Sequence, residues 1–327
     1  MKLPRRKFFN LAAGAAALST ASRFAWAQAY PARPITMIVP FAAGGPNDGI
    51  ARIMAEGMRI ALGQPVIIEN IGGAAGSIGA GRAALAAPDG TTILIGYWGT
   101  HVANAAIYPL DYDVVKDFEP ISLLVESPLL IAAGKTIPAS DLSEFVSWLR
   151  ANPDKASAAV PGSASHVASV FFQRETGTRF RLVPYGGAGP AIQDLSQGRI
   201  DMALLNAGAP LPHVRSGAFK AYAVSAKHRL AAAPGIPTVE EAGFPNLYAT
   251  VWFGLWAPAR TPQDIIAKLN AAAVDTLADP NVRARLADLA QEIFPREQQT
   301  PAALAAMQKA EIEKWWPIIK GAGIKAG

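Results

Sequence analysis

The sequence predicts an α/β protein in which two lobes, each with a mainly parallel sheet, are followed by a helical C-terminal segment. Short β-branched segments alternate with segments of helical periodicity along most of the chain. This alternation is typical of consecutive βαβ units, in which a helix connects two parallel strands. The chain has 327 residues, which is long enough to build two hydrophobic cores.

Five elements are expected in the first lobe. Strands are predicted at 35–39, 65–70 and 91–96, where β-branched residues cluster between glycine and proline residues. Helices are predicted at 49–62 and 77–86, because apolar residues recur there at a helical spacing. The resulting order places the three strands in one parallel sheet.

The second lobe repeats this alternation with more elements. Its strands are predicted at 129–132, 156–160, 181–184, 201–205 and 221–225. Its helices are predicted at 140–151, 166–176 and 190–197. Ser140 is expected to cap the first of these helices.

The C-terminal segment is predicted to be helical. Thr261 and Thr300 each precede a proline, and Thr238 and Glu241 have the spacing of a capping box. Helices are therefore expected at 262–278, 280–290 and 301–320.

The chain is expected to cross between the lobes twice, near 122–128 and 246–252, where the strand and helix pattern breaks. Lobe 1 then comprises residues 30–125 and 250–327, and lobe 2 comprises residues 126–249. Two lobes joined in this way enclose a ligand in the cleft between them and close over it about a hinge.

Residues 1–29 have the three parts of an export signal. A charged head contains Arg5 and Arg6, a short apolar run follows at 11–18, and small residues at 25–27 form a cleavage pattern. The adjacent arginines indicate twin-arginine export, with an ordinary Sec signal as the alternative. The apolar run is shorter than the about 20 residues that a transmembrane helix needs. We therefore expect a soluble mature protein outside the cytoplasm.

The charge and cysteine content exclude several classes of function. The chain has 30 basic and 25 acidic residues, but five of the basic and none of the acidic residues lie in 1–27. The mature chain is therefore formally neutral, so its charge does not indicate a nucleic-acid partner. The absence of cysteine excludes disulfides and thiolate chemistry.

Catalytic patterns are scarce. The four histidines do not share a metal-binding spacing, and neither a nucleophile elbow nor a nucleotide-binding glycine motif occurs. We therefore expect no metal and no cofactor. A hydrolase built on Ser163 and His166 is an alternative, but no carboxylate that could orient the histidine is identifiable.

Two glycine-rich segments, 43–48 and 162–166, lie between a strand and a helix. Small residues allow a ligand to approach the backbone closely, and the free N–H groups at a helix N-terminus attract an anion. We expect these segments to hold one or two carboxylates without a cationic side chain. Ordinary turns between strands and helices are the alternative interpretation.

Four side chains near these segments have two interpretations each. Asp48 is expected to cap its helix, with an amine of the ligand as the alternative partner. His166 is expected to make structural hydrogen bonds, with a ligand contact as the alternative. Trp252 and Trp256 are expected to pack in the core, although one of them could line the cleft.

Five motifs occur in an order that resembles a known family. They are PFAAGGPND at 40–48, PDG at 88–90, VPYxGxGP at 183–190, PTVxEAG at 237–243 and WFGLxAP at 252–258. Together they resemble the tripartite tricarboxylate transporter solute receptors, also called the Bug family, over residues 30–325. The resemblance implies a type II periplasmic-binding-protein fold with a Venus-flytrap hinge. It also implies a periplasmic monomer that binds a small carboxylate for the membrane permease subunits of an importer. A ligand sensor for a membrane signalling partner is the alternative role.

The resemblance also implies where the ligand binds. In that family two matching loops, one from each lobe, grip a carboxylate largely through backbone amides and bridging waters. A further loop at 96–101 is expected to add ligand-specific contacts. The implied ligand-binding residues are Phe41, Ala43, Gly44, Gly45, Asn47, Asp48, Thr100, His101, Gly162, Ser163, Ala164, Ser165, His166 and Asn206.

Two positions depart from the family pattern. Asn47 stands where many members have Thr or Ser, and Pro161 interrupts a run that in many members reads Tyr-Gly-Ser-x-Gly. Proline lacks a backbone N–H, so one donor is lost beside the expected site. The ligand of a relative therefore cannot be assigned to this chain.

Overall fold

The computed structural model describes residues 30–324, which begin with three parallel strands. Strands β1 (Ile35–Val39), β2 (Val66–Asn70) and β3 (Thr92–Tyr97) lie in the order β2-β1-β3. Helix α1 (Pro46–Leu62) connects β1 to β2, and helix α2 (Ser77–Ala84) lies between β2 and β3. The predicted alternation is confirmed here. The predicted export signal at 1–29 lies outside the described residues.

Two long antiparallel strands, β4 (Phe118–Ala133) and β9 (Thr250–Pro258), carry the sheet from its first half to its second. β4 pairs with β9 as far as Pro128, and from Leu129 onward it pairs with β7 (Met202–Asn206) and β8 (Lys220–Val224). The predicted strand at 129–132 was too short, because β4 continues through the proline that breaks the sequence pattern.

The second half of the sheet is mixed. Strands β5 (Ser157–Val160) and β6 (Arg181–Pro184) extend it in the order β7-β5-β6. β5 pairs in parallel with β6 and β7, whereas β4 pairs antiparallel with β7 and β8, so the predicted mainly parallel sheet is only partly found. The connecting helices are α4 (Leu142–Ala151), α5 (Ser163–Thr176), α6 (Ala188–Ser196) and α7 (Leu211–Arg215). We call β1, β2, β3, β9 and β4 as far as Pro128 the first half-sheet, and the remaining part of β4 with β5 to β8 the second half-sheet.

Elements after β3 and after β9 pack on the first half-sheet. A π-helical turn (Gly99–Ala103) and helix α3 (Asn104–Ile107) follow β3. The C-terminal elements are α8 (Gln263–Ala278), α9 (Pro280–Asp288), β10 (Glu292–Ile293) and α10 (Pro301–Gly321). Helix α8 packs against α1 and β4, and α10 packs against β4 and the π-helical turn. The predicted C-terminal helices are confirmed, and the predicted lobe boundaries stay predictions.

Only some of the predicted caps form. Thr300 accepts a hydrogen bond from the backbone of α10 and caps that helix as predicted. Asp141, and not Ser140, caps α4, because the Asp141 carboxylate accepts the N–H of Glu144. Thr261 bonds the Pro258 carbonyl and caps no helix. The Thr238 capping box forms its two hydrogen bonds, but no helix follows it.

The core forms two hydrophobic clusters. The larger one extends over both halves of the sheet and includes Phe145 and Phe172, and the smaller one is built around the second half. Trp252 and Trp256 are 2% and 1% exposed in the larger cluster, so the prediction that they pack in the core is confirmed. Within residues 30–324, no helix is both long and apolar enough to cross a bilayer.

Candidate functional site

A cleft of about 350 Å³ lies between the two half-sheets, at the carboxyl ends of their parallel strands. From the first half-sheet it is lined by residues 41–47, which follow β1, and by Tyr97 at the end of β3. From the second half-sheet it is lined by the loops after β5 and β6 and by the end of β7. Ligand sites in open α/β sheets occur at such crevices because loops from several strands meet there.

Three helices begin at the cleft, and each has a glycine as its N-cap. Gly45 precedes α1, Gly162 precedes α5 and Gly187 precedes α6, and none of these helices has a side-chain cap. The first turns of such helices retain N–H groups without an intrahelical partner. Since the helix dipole adds partial positive charge there, the three N-termini favour a negatively charged group in the cleft.

Three helices that begin away from the cleft have side-chain caps. Asp141, Asp279 and Thr300 cap α4, α9 and α10 with side-chain oxygens that accept backbone N–H groups. A side-chain cap satisfies one or two donors that would otherwise need another partner. The glycine caps of α1, α5 and α6 therefore leave backbone donors without a side-chain cap at the cleft. Helices α2 and α8 also lack a side-chain cap, but they begin away from the cleft.

The side chains that line the cleft are uncharged and mostly small. No Asp, Glu, Lys, Arg or His belongs to the residues that line it, and most of them are glycine, alanine or proline. The polar side chains are those of Asn47, Tyr97, Ser165 and Asn206. Any positive potential in the cleft therefore arises mainly from backbone dipoles, as predicted from the glycine-rich segments.

Asn47 contributes a buried donor to the cleft. Asn47 is 8% exposed, and its side-chain Nδ2 has no hydrogen-bond partner among the described residues. Leaving a buried donor unpaired costs about 1–3 kcal/mol. Asn47 is thus a polar group in the cleft whose hydrogen-bonding capacity is not used by the folded chain.

Nine of the residues predicted to bind ligand line this cleft. They are Phe41, Ala43, Gly44, Gly45, Asn47, Gly162, Ala164, Ser165 and Asn206. Their contact with a ligand stays a prediction. The other five predicted residues, Asp48, Thr100, His101, Ser163 and His166, do not line it.

Asp48 holds the loop between β1 and α1 in place through hydrogen bonds. Its carboxylate accepts hydrogen bonds from Gly44 N (2.9 Å), Arg52 Nε (2.8 Å) and Asn70 Nδ2 (3.0 Å). Burial opposes ionisation, but the hydrogen bonds from Arg52, Gly44 and Asn70 outweigh it and hold the pKa of Asp48 below 3.8. The carboxylate therefore fixes the loop before α1, and it does not cap the helix in the predicted way.

Thr100 and His101 do not line the cleft and are wholly buried. The Thr100 hydroxyl bonds Tyr97 O over 3.0 Å and shares a 2.9 Å hydrogen bond with His101 Nδ1. The His101 ring stacks on Trp256, with ring centroids 3.7 Å apart. The π-helical turn directs both side chains into the core, which explains why they do not reach the cleft.

Ser163 and His166 do not form a catalytic pair in the structure. The Ser163 hydroxyl donates to Asn104 Oδ1 over 2.6 Å. His166 is partly exposed, and burial lowers its pKa below 6.5. No hydrogen bond joins the two side chains among the described residues, so the geometry does not support the hydrolase alternative.

The third loop of the cleft was missed as a site by sequence reasoning. Residues 186–190 line the cleft together with Tyr97, Pro161, Leu204, Leu205 and Ala209. The missed signal was available, because Gly187 lies between β6 and α6 in the same way that Gly45 and Gly162 precede their helices.

A larger surface groove of about 870 Å³ lies beside α2. All of its lining residues belong to the first part of the chain, and they include Glu69, Arg82 and Asp111. This groove is not between the half-sheets. Helix α2 begins beside it with Gly76 as an N-cap that provides no side-chain hydrogen bond, but two carboxylates line the groove against one guanidinium, which disfavours an anion there. The smaller cleft is therefore the better candidate for the functional site.

Known proteins share this architecture and much of the sequence. The family model described as tripartite tricarboxylate transporter family receptor matches residues 50–324. MatC from Rhodopseudomonas palustris, solved with bound malate, is 41% identical, with 89% of this chain and 100% of MatC covered and a TM-score of 0.82. The periplasmic binding protein BugD is 36% identical. The match covers 91% of this chain and 100% of BugD, with a TM-score of 0.83. Another R. palustris protein, solved with adipate, is 30% identical. The match covers 91% of this chain and 100% of that protein, with a TM-score of 0.85. The chain therefore belongs to the tripartite tricarboxylate transporter family of receptors, which are solute-binding proteins and not enzymes.

Proposed function

We propose that this receptor binds a small organic carboxylate between its two half-sheets. The observation that carries the proposal is the meeting of three glycine-capped helix N-termini at one neutral cleft. Backbone donors at helix N-termini stabilise an anion without a cationic side chain. The cleft volume of about 350 Å³ suits a ligand of a few carbon atoms with one or two carboxylates.

The related structures support this ligand class. MatC was solved with malate and the other R. palustris protein with adipate, and both ligands are aliphatic dicarboxylates. Both proteins are at least 30% identical to this chain over about nine tenths of its length. A carboxylate at each end of the ligand matches a cleft in which helix N-termini approach from both half-sheets.

We infer the place and partners of the receptor from its family. We propose that the signal at 1–29 exports the chain to the periplasm, where BugD is described as a binding protein. The liganded receptor would deliver its solute to the membrane permease subunits of a tripartite tricarboxylate importer. Growth and uptake of labelled dicarboxylate in a strain lacking this receptor test this role, and complementation by the intact gene is the control.

Binding itself is tested with the purified mature protein. Thermal unfolding is measured with malate, succinate, adipate, glutamate and benzoate, and each acid is paired with its neutral amide. A ligand that binds only the folded chain stabilises it by about 2.7 kcal/mol at a hundredfold excess over Kd. We expect at least one acid, and not its amide, to raise the midpoint. If none of the acids does so, the carboxylate proposal is wrong.

A further inference from the structure

A buried hydrogen bond joins helix α5 to helix α3 beside the cleft. Ser163 is the first residue of α5, which packs on the second half-sheet, and Asn104 is the first residue of α3, which follows β3. The Ser163 hydroxyl donates to Asn104 Oδ1 over 2.6 Å, and the two residues are 3% and 0% exposed. The bond therefore connects the helix that begins at Gly162 to the opposite side of the cleft.

The amide of Asn104 is oriented by its own side of the molecule. Its Nδ2 donates to Ala75 O and to Ser77 Oγ, each over 3.0 Å. A backbone carbonyl only accepts hydrogen bonds, so the NH₂ group must face Ala75 and the amide oxygen must face Ser163. The first half-sheet thus presents a fixed acceptor to α5.

Helix α5 touches the first side of the molecule at a second point. The rings of Phe171 and Trp315 meet edge to face, with centroids 5.3 Å apart and 72° between their planes. Trp315 belongs to α10, and its Nε1 donates to Glu311 Oε2 over 2.9 Å. The same carboxylate oxygen accepts Trp98 Nε1 over 2.8 Å. Contacts near the start and in the middle of α5 therefore hold this helix across the cleft.

We propose that Asn104 is a positioning residue that holds the receptor closed through Ser163. The inference rests on the proposed binding of a carboxylate between the half-sheets. When α5 is docked on Asn104, its N-terminal N–H groups lie opposite those of α1, as an anion in the cleft requires. The hydrogen bond would then act by slowing the opening of the cleft, without itself touching the ligand.

The contribution of this hydrogen bond to closure is limited, because water replaces it when the cleft opens. Opening the cleft exposes both groups, so water replaces the partner that each loses. A net hydrogen bond of this kind shifts an equilibrium by about threefold to tenfold. We therefore expect the bond to shift the ratio of closed to open receptor by that factor, both with and without ligand.

The primary variant is Ser163→Ala, because Ser163 makes no other side-chain hydrogen bond among the described residues. We expect its dissociation rate constant for the best-binding dicarboxylate to rise by about threefold to tenfold, with a nearly unchanged association rate constant. Ser163→Thr keeps the hydroxyl and should restore the slow dissociation. Ser169→Ala is the matched control, because it removes a buried hydroxyl of the same helix that has no partner among the described residues.

A distance measurement separates closure from direct contact with the ligand. The chain has no cysteine, so spin labels at Ile60→Cys and Ala151→Cys are unique, and both positions are exposed. Without ligand, Ser163→Ala should shift the inter-label distance distribution toward the open form, whereas Ser169→Ala should leave it unchanged. Asn104→Ala should give the same shift, and the double variant should add little to it.

The outcomes are distinct. An unchanged distance distribution in ligand-free Ser163→Ala overturns the positioning role, even if its affinity falls, because Ser163 would then act on the ligand directly. Additive effects of the two substitutions also overturn it. If the unaltered protein binds no carboxylate but the distances shift as expected, the proposed function fails while the closure bond stands.

Discussion

The imidazole of His101 lies flat on the indole of Trp256, with ring centroids 3.7 Å apart and 12° between the planes. Both residues are buried, at 0% and 1% exposed. Gly96 makes this stack possible, because a Cβ at that position would lie 2.3 Å from the His101 ring. The stack holds His101 in the core, apart from the residues that line the cleft, so His101 does not serve as a charged contact to a ligand there.

The buried His101 predicts a loss of stability in acid. Burial lowers its pKa from 6.5 to about 3. Between these two values the unfolded chain binds a proton that the folded chain does not, so the free energy of unfolding falls as the pH falls. The slope from this one group reaches about 1.4 kcal/mol per pH unit. Urea unfolding of His101→Phe should show a shallower slope than the unaltered protein between pH 6 and pH 4. Equal slopes would contradict the assignment.

Filling the glycine cap of α5 should weaken binding without weakening the fold. Gly162 has an extended backbone, and the nearest atom to an added Cβ is Tyr97 Oη at 3.9 Å. In Gly162→Ser the hydroxyl can accept an N–H of the first turn, which would otherwise bind the ligand. We expect a loss of affinity of about tenfold to a hundredfold, as for one hydrogen bond to a charged group. Isothermal titration measures the affinity.

The control variant Asp141→Ala should show the reverse pattern, with lower stability and unchanged affinity. The unfolding free energy of Gly162→Ser should stay within a few tenths of a kcal/mol of the unaltered protein. Asp141→Ala removes the cap of α4, away from the cleft, and should lower stability by about 0.5–2 kcal/mol with unchanged affinity. Full affinity in Gly162→Ser would refute the assignment of α5 to the ligand site.

Asp48 should stabilise the fold only when it is ionised. Asp48→Asn loses the charge that holds Gly44, Arg52 and Asn70, so the free energy of unfolding should fall by about 1.5–3 kcal/mol at pH 7. The pKa of Asp48 is lowered, so its contribution is present above the ordinary value of 3.8 and is lost as the pH falls through the folded value. The difference between the two proteins should therefore shrink toward pH 2. A constant difference would point to a loss of packing.

Gly208 should control how closely the two halves of the molecule approach. It follows β7, and a Cβ at Gly208 would lie 2.2 Å from the carbonyl oxygen of Leu289, which follows α9. Backbone cannot move aside as a flexible side chain can, so Gly208→Ala should cost about 1–3 kcal/mol in the closed form. We expect affinity to fall about tenfold or more. Gly235→Ala, with nothing near its added Cβ, is the control. Unchanged affinity would show that this contact does not limit closure.

The sequence identified the glycine loops because their physics is local. A glycine between a strand and a helix start is visible in the chain, and the free N–H groups that it leaves follow from helix geometry. Gly45 and Gly162 could therefore be predicted at a site from the chain alone. Gly187 has the same local pattern, but one sequence gives no distance between its loop and the other two.

Side-chain direction was less predictable. Thr100 and His101 follow β3 at the position where a loop residue would reach the cleft, yet the π-helical turn directs them into the core. Asp48 begins a helix as a cap would, but its carboxylate turns back to Gly44. In each case the competing partners are remote in sequence, so no local pattern reveals them.

The sequence by itself determined the α/β class, the helical C-terminus, the family and the absence of thiol chemistry, because periodicity, composition and motif order are properties of the chain. Only the tertiary structure decided which three helix N-termini meet and that Ser163 faces Asn104, 59 residues away. The register and crossing of the strands set those distances, and they arise from packing across the whole sheet.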